Sequence, residues 1–178
     1  MDDLEIWKYP IGRFTAPAAL DPETRRACID ALERLPATMR SLAGSLSDSQ
    51  LDRPYRAGGW TIRQVVHHVP ESHMNMYIRM RLALTEDVPT IKPYDENRWA
   101  ELPDSRSAPV SLSLDLLEAL HRRWVVFLRM LSGHDFQRSF RHPDSGIITI
   151  DQGIAAYDWH GRHHAAHIER ALTVEPGR

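Results

Sequence analysis

Trp159-His160-Gly161-Arg162-His163-His164-Ala165-Ala166-His167-Ile168 holds four of the ten histidines in the chain. On a helix this spacing gives two i,i+4 pairs, His160/His164 and His163/His167, whose β-carbons lie roughly 5–6 Å apart, close enough to share a cation. Ile150, Ile154, Tyr157, His160, His164, Ile168 and Leu172 follow the 3,4 spacing of a buried stripe. The rotated set Gln152, Ala156, Trp159, His163, His167 and Arg170 is more polar and reads as a flank or solvent face. His160 and His164 are therefore expected to point inward. One histidine on an apolar face is commonly a core residue with a satisfied hydrogen bond. Two on the same face are costly to bury without partners, and metal ligation would satisfy both.

The histidine helix has a readable start. Thr149-Ile150-Asp151-Gln152 has the capping-box form, with a hydroxyl that can accept from the third helical N–H and a glutamine that can reach back. Before it, Arg138 to Ile150 alternates loosely around Pro143-Asp144-Ser145-Gly146, which predicts a small hairpin. Leu112, Leu114, Leu116, Leu117, Leu120, Trp124, Phe127, Leu128 and Leu131 mark a third helix ending near Gly133. Residues 86–110 carry Pro89, Pro93, Pro103 and Pro109 around Trp99, a long crossover with too many apolar anchors for a disordered linker. Thr61-Ile62-Arg63-Gln64 caps a second helix running to about Thr85, with Pro70 expected to bend it. Asp21-Pro22-Glu23 starts the first helix, which carries Ile29, Leu32, Leu35 and Met39 to about residue 44, with Pro36 expected to kink or split it. Ser47-Asp48-Ser49-Gln50 reads as a short capped turn, and residues 1–20 as irregular chain. Four long amphipathic segments with little strand signal predict an all-α four-helix bundle, one domain over residues 1–178.

Composition narrows the function classes. With 22 basic and 24 acidic residues and no basic run, nothing favours a nucleic-acid surface. No stretch approaches the roughly 18 apolar residues of a membrane span. Met1-Asp2-Asp3-Leu4-Glu5 lacks the apolar core of a signal peptide. A single cysteine, Cys28, allows no intrachain disulfide and fits the cytoplasm. Cys28 itself reads as a small packed residue.

A third ligand is expected from the second helix, which carries His67, His68 and His73; His121, His134 and His142 stand isolated. His67 groups with Trp60, Arg63, Gln64 and Glu71, a polar set, whereas periodicity does not separate His68 from His73. Gly58-Gly59-Trp60-Thr61-Ile62-Arg63-Gln64-Val65-Val66-His67-His68 and the stretch from Trp159 to Ile168 resemble the DinB-like superfamily, and more narrowly its YfiT branch of metal-dependent hydrolases, also called bacillithiol S-transferases. Tyr9-Pro10-Ile11-Gly12, Ser49-Gln50-Leu51-Asp52 and His142-Pro143-Asp144 extend the likeness over nearly the whole chain. The resemblance implies a DinB-like bundle in which the histidine eight residues after the leading tryptophan, here His68, joins His160 and His164 around one metal ion. It also implies a homodimer.

Neutral imidazoles suit zinc, nickel, copper and iron, and three of them with an open position mark a reactive rather than a structural site; one divalent ion, zinc or nickel, is expected. Such an ion can hold a thiol as thiolate or activate water. The resemblance favours the first: transfer of a small-molecule thiol to an electrophile. The alternatives are hydrolysis, with Glu71, Asp158 or Glu169 within sequence reach as general base, and a metal-binding module without turnover.

Overall fold

The computed structural model describes residues 3–173, so both ends of the expected 1–178 domain, Met1 and Asp2 included, lie outside the described residues. Helix α1, Asp3–Lys8, precedes α2, Pro22–Ala43; a short α3, Asp48–Leu51, leads to α4, Ile62–Thr85. The crossover carries α5, Glu96–Ala100, and α6, Pro103–Ser107, before α7, Val110–Arg129. Strands β1, Ser139–His142, and β2, Gly146–Thr149, form the hairpin, and α8, Ile150–Thr173, ends the bundle. Helix α1 corrects the expectation of irregular chain over residues 1–20.

The caps form as the side chains dictate. Asp21 Oδ1 accepts from the N–H groups of Glu23 and Thr24, both at 2.9 Å. Thr61 with Gln64, and Thr149 with Gln152, close reciprocal capping boxes. Neither Pro36 nor Pro70 splits its helix: both α2 and α4 run through uninterrupted. The hairpin is antiparallel with Phe140 opposite Ile148, and Gly146, at φ +77°, supplies the left-handed turn residue. Main-chain bonds from Ile91 N–H to the Arg141 carbonyl and from Arg141 N–H to the Pro89 carbonyl tie the crossover to β1.

The four long helices are wired unusually. Helices α2 and α4 each pack on both α7 and α8, so α2 and α4 stand on one diagonal of the bundle. A simple up-and-down bundle would place such consecutive helices side by side. The core has two apolar regions. One gathers Met80, Trp124, Phe140, Ile150 and Ile154, the other Met39, Val65, Leu114, Leu117 and Ile168. Along α4 the change from one to the other falls between Met76 and Val69, along α7 between Trp124 and Leu117, and along α8 between Tyr157 and Ala165. Each of these gaps holds histidine: His73, His121, and His160 with His164.

Two contacts set the position of α8. Asp151, fully buried, receives Arg25 through Nε at 2.6 Å and Nη2 at 2.8 Å, which anchors its first turn to α2. Further along, a β-carbon at Gly161 would lie 2.5 Å from Leu35 Cδ2, so any larger residue would have to push the buried Leu35 side chain aside where α8 meets α2 beside His160.

Candidate metal centre

His68, His160 and His164 converge, each offering one ring nitrogen, with these atoms all within 4.8 Å of one another. His68 Nε2 faces His160 Nε2 at 3.2 Å. His68 and His164 are buried and His160 is half-buried. Burial holds His68 down at about 4 and pushes His160 and His164 well below the ordinary imidazole value, so all three rings are neutral at physiological pH.

Neutral rings allow the tautomers to be assigned from the network. His121 Nδ1 lies 2.6 Å from the Leu32 carbonyl, which can only accept, so Nδ1 carries the proton. Its Nε2 is then an acceptor and receives His73 Nδ1–H at 2.9 Å. His73 Nε2 in turn accepts from His160 Nδ1–H at 3.1 Å. His160 is thereby left with a bare Nε2 aimed at His68. A second chain treats His164 in the same way. His167 Nε2–H donates to the Lys8 carbonyl at 3.3 Å, and His167 Nδ1 accepts from His164 Nδ1–H at 3.4 Å. His68 has no such chain, and its buried Nδ1 lacks a partner.

This donor set fits a divalent transition ion. Two bare imidazole nitrogens are presented at fixed orientation, and a ligating histidine characteristically donates its other ring N–H to a second group. Without a cation, the Nε2 atoms of His68 and His160 can share their 3.2 Å contact only if His68 carries a proton there, which strips its Nδ1 of the donor role.

Of the three histidines on α4, His73 does not join the triad but lies behind it, fully buried between His160 and His121. His67 is also buried, yet it turns toward Ser113 Oγ and the Ala108 carbonyl. Two expectations need correction. His163 and His167 are buried, not on a solvent face, because Tyr9 and Trp159 pack on His163 while Tyr55 stacks on His167 at 4.1 Å. His121 is not isolated but closes the longer histidine chain, and the spacing Leu114, Leu117, His121, Trp124, Leu128 carried that signal.

The triad opens into a cavity of about 760 Å³ whose walls include Tyr55, Trp60, Ser72, Arg79, Tyr94 and Trp159. Trp60 packs against His68 with ring centres 4.8 Å apart, and Ser72 Oγ meets Tyr157 OH at 3.1 Å. None of the three carboxylates considered as a base lines this cavity. Asp158 is clasped by Arg162 at 2.9 and 2.8 Å, and Glu169 is exposed. Glu71 is half-buried outside the wall, pushed up to about 7 by burial, with Asp104 adding repulsion.

Fold and site together define a helical-bundle protein with a buried three-histidine cluster open to a cavity. The chain belongs to the DinB superfamily, whose family model matches residues 31–168. It is 52% identical over 168 residues to a Bacillus cereus (strain AH820) protein named "Putative metal-dependent hydrolase", covering 94% of this chain and 95% of that one. Bacillus anthracis proteins of the same name match equally. Among solved structures, YfiT from Bacillus subtilis, described as a probable metal-dependent hydrolase with an unusual four-helix bundle topology, superposes with a TM-score of 0.91 at 48% identity, over 93% of this chain and 95% of that one. The four-helix bundle protein TT2238 shares the fold at a TM-score of 0.53 and 20% identity. Among the described residues no helix is long and apolar enough to cross a membrane.

Proposed function

We propose that His68, His160 and His164 hold one divalent ion, zinc or nickel, and that the protein is an enzyme transferring a small-molecule thiol to an electrophile. Bound there, the ion supplies a Lewis acid that keeps the substrate thiol ionised. The observation that carries the reading is the placement of acids. The candidate bases Glu71, Asp158 and Glu169 all lie outside the cavity wall, and the two acids that do line it, Glu96 and Asp144, are exposed. A thiol, with its free value near 8.5, gives up its proton far more readily than water, with its free value of about 15.7, and so depends less on a neighbouring base. The protein's own part is to present two inward Nε2 atoms, to keep the rings neutral by burial, and to line the cavity with the aromatic faces of Trp60 and Tyr55. The names of the relatives favour a second reading, hydrolysis at the same ion.

The test is metal analysis of untagged protein, followed by assay of metal-free and reloaded forms for joining bacillithiol to a bimane electrophile. One equivalent of metal with metal-dependent transfer is expected. Stoichiometric metal without transfer would reject the thiol reading in favour of hydrolysis. Absence of metal would reject both.

A further inference from the structure

Among the described residues two arginines are buried, Arg63 and Arg79, and they differ in pairing. Arg63 is met by Asp52 at 2.8 Å and Asp48 at 2.7 Å, and Arg25 by both oxygens of Asp151. Arg79, on α4, is only 8% exposed and lines the cavity. Among the described residues no carboxylate lies within ion-pair distance of it and no hydrogen bond engages its guanidinium. Its nitrogens are absent from the sealed, unpartnered polar atoms of the interior, so the guanidinium meets the cavity rather than the core. Glu96 and Asp144 also line the cavity, but both are exposed and stand free of Arg79. A guanidinium that faces a cavity with none of its N–H groups engaged by the protein is free to take a counter-charge from a ligand.

Position says how that counter-charge relates to the histidines. His68, Ser72 and Arg79 fall on one stripe of α4, at i, i+4 and i+11. Eleven residues at 1.5 Å rise put Arg79 roughly 16 Å along the axis from His68, and side chains lean back toward the helix start. The cavity is continuous from the triad past Ser72 to Arg79. One elongated molecule can therefore touch both ends, which a lone inorganic anion cannot.

We propose that Arg79 is an oxyanion-binding subsite, so that the substrate is an elongated small molecule carrying a carboxylate or phosphate at the end remote from the group that reaches the histidines. The planar guanidinium fork matches either oxyanion in a two-bond contact. Under the function proposed above, on which this inference rests, the ligand is an anionic thiol.

The experiment compares 6-mercaptohexanoate, 6-mercaptohexanol and hexanoate by calorimetric titration into metal-loaded protein, for the natural chain and for Arg79→Gln and Arg79→Lys. One charge-assisted contact is worth about a 10- to 100-fold preference for mercaptohexanoate over mercaptohexanol. Arg79→Gln should abolish that preference, and Arg79→Lys should keep part of it. Competition by acetate rather than inorganic phosphate would assign a carboxylate, and the reverse a phosphate; either supports the subsite. Hexanoate separates the two readings. If it binds in an Arg79-dependent manner and the added sulfur contributes nothing, the subsite stands and the thiol reading falls. Equal affinity of natural protein and Arg79→Gln for mercaptohexanoate would overturn the subsite. Arg79→Gln removes an unpaired buried charge, so its melting temperature should hold or rise; a fall would show that the fold itself uses Arg79, and would equally overturn the proposal.

Discussion

Replacing His73 by leucine should weaken metal binding although His73 touches no metal. In the natural chain the Leu32 carbonyl fixes the proton on His121, His121 fixes His73, and His73 fixes His160 with its Nε2 bare. Leucine has similar bulk and no acceptor, so His160 Nδ1–H loses its partner, and so does His121 Nε2. Loss of such an outer partner typically costs 10- to 100-fold in metal affinity, about 1.4–2.7 kcal/mol. The tautomer lock is released as well, and His160 is free to carry its proton on Nε2, the atom that would ligate. His73→Gln provides the rescue: its amide oxygen can accept from His160 while its NH₂ donates to His121, preserving the polarity of the chain. His67→Leu is the control for generic damage. It also removes a buried histidine with two hydrogen bonds, but on the far side from the triad. The assay is zinc titration against a competing chelator, paired with ¹⁵N NMR of the imidazoles in metal-free protein. His73→Leu should lose affinity and show His160 with mixed protonation, while His73→Gln and His67→Leu should stay near the natural value. If His160 kept its proton wholly on Nδ1 in His73→Leu, or if His67→Leu lost as much affinity, the relay would be refuted.

Three further outcomes follow from the same geometry. His160→Ala should lose most of its bound metal and His163→Ala should retain it, as read by metal analysis of the purified variants; equal loss would reject the assignment of His160 as ligand and His163 as packing. Arg25→Ala should strand the buried carboxylate of Asp151 and cost about 3–5 kcal/mol in urea denaturation, against under 1 kcal/mol for removal of Arg106, whose partner Glu101 is exposed. Metal-free protein should weaken in acid: burial holds His121 near 4, below the unfolded value of about 6.5, so the unfolded chain binds the extra proton between these values. Stability is then full above pH 6.5 and falls as pH drops toward 4, by roughly 2 kcal/mol from His121 alone at pH 5; a flat denaturation midpoint between pH 7 and 5 would contradict this.

The bundle was legible because its determinants are local. Asp21-Pro22, Thr61-Gln64 and Thr149-Gln152 cap three of the long helices where the sequence places them, and Pro143-Asp144-Ser145-Gly146 turns the hairpin. His160 and His164 were legible from the stripe they interrupt, and His68 only through family likeness, since His73 shares its claim by periodicity. What escaped was set by distant chain. His163 and His167 look solvent-facing until the segment around Lys8 and Tyr9, more than 150 residues away in sequence, is laid over them. Arg79 gives no signal in the sequence, and it stands out only once it is seen to line a cavity with no carboxylate within ion-pair distance of it. The helical form of Asp3–Lys8 escaped because six residues give too little periodicity to read.

The diagonal wiring of the bundle bears on the order in which the molecule assembles. Of the four neighbouring helix pairs, only α4 with α7 joins helices consecutive among the long four, so this pair closes the shortest loop and is placed to form early. Helix α8 must dock against both α2 and α4, each far away in sequence, and it brings two of the three histidines with it. An intermediate lacking α8 therefore holds only one of the three proposed ligands, His68, and should have almost no grip on an ion. Metal added during refolding should leave the early phase untouched and act on the last one, slowing the departure of α8 and so lengthening the lifetime of the native state.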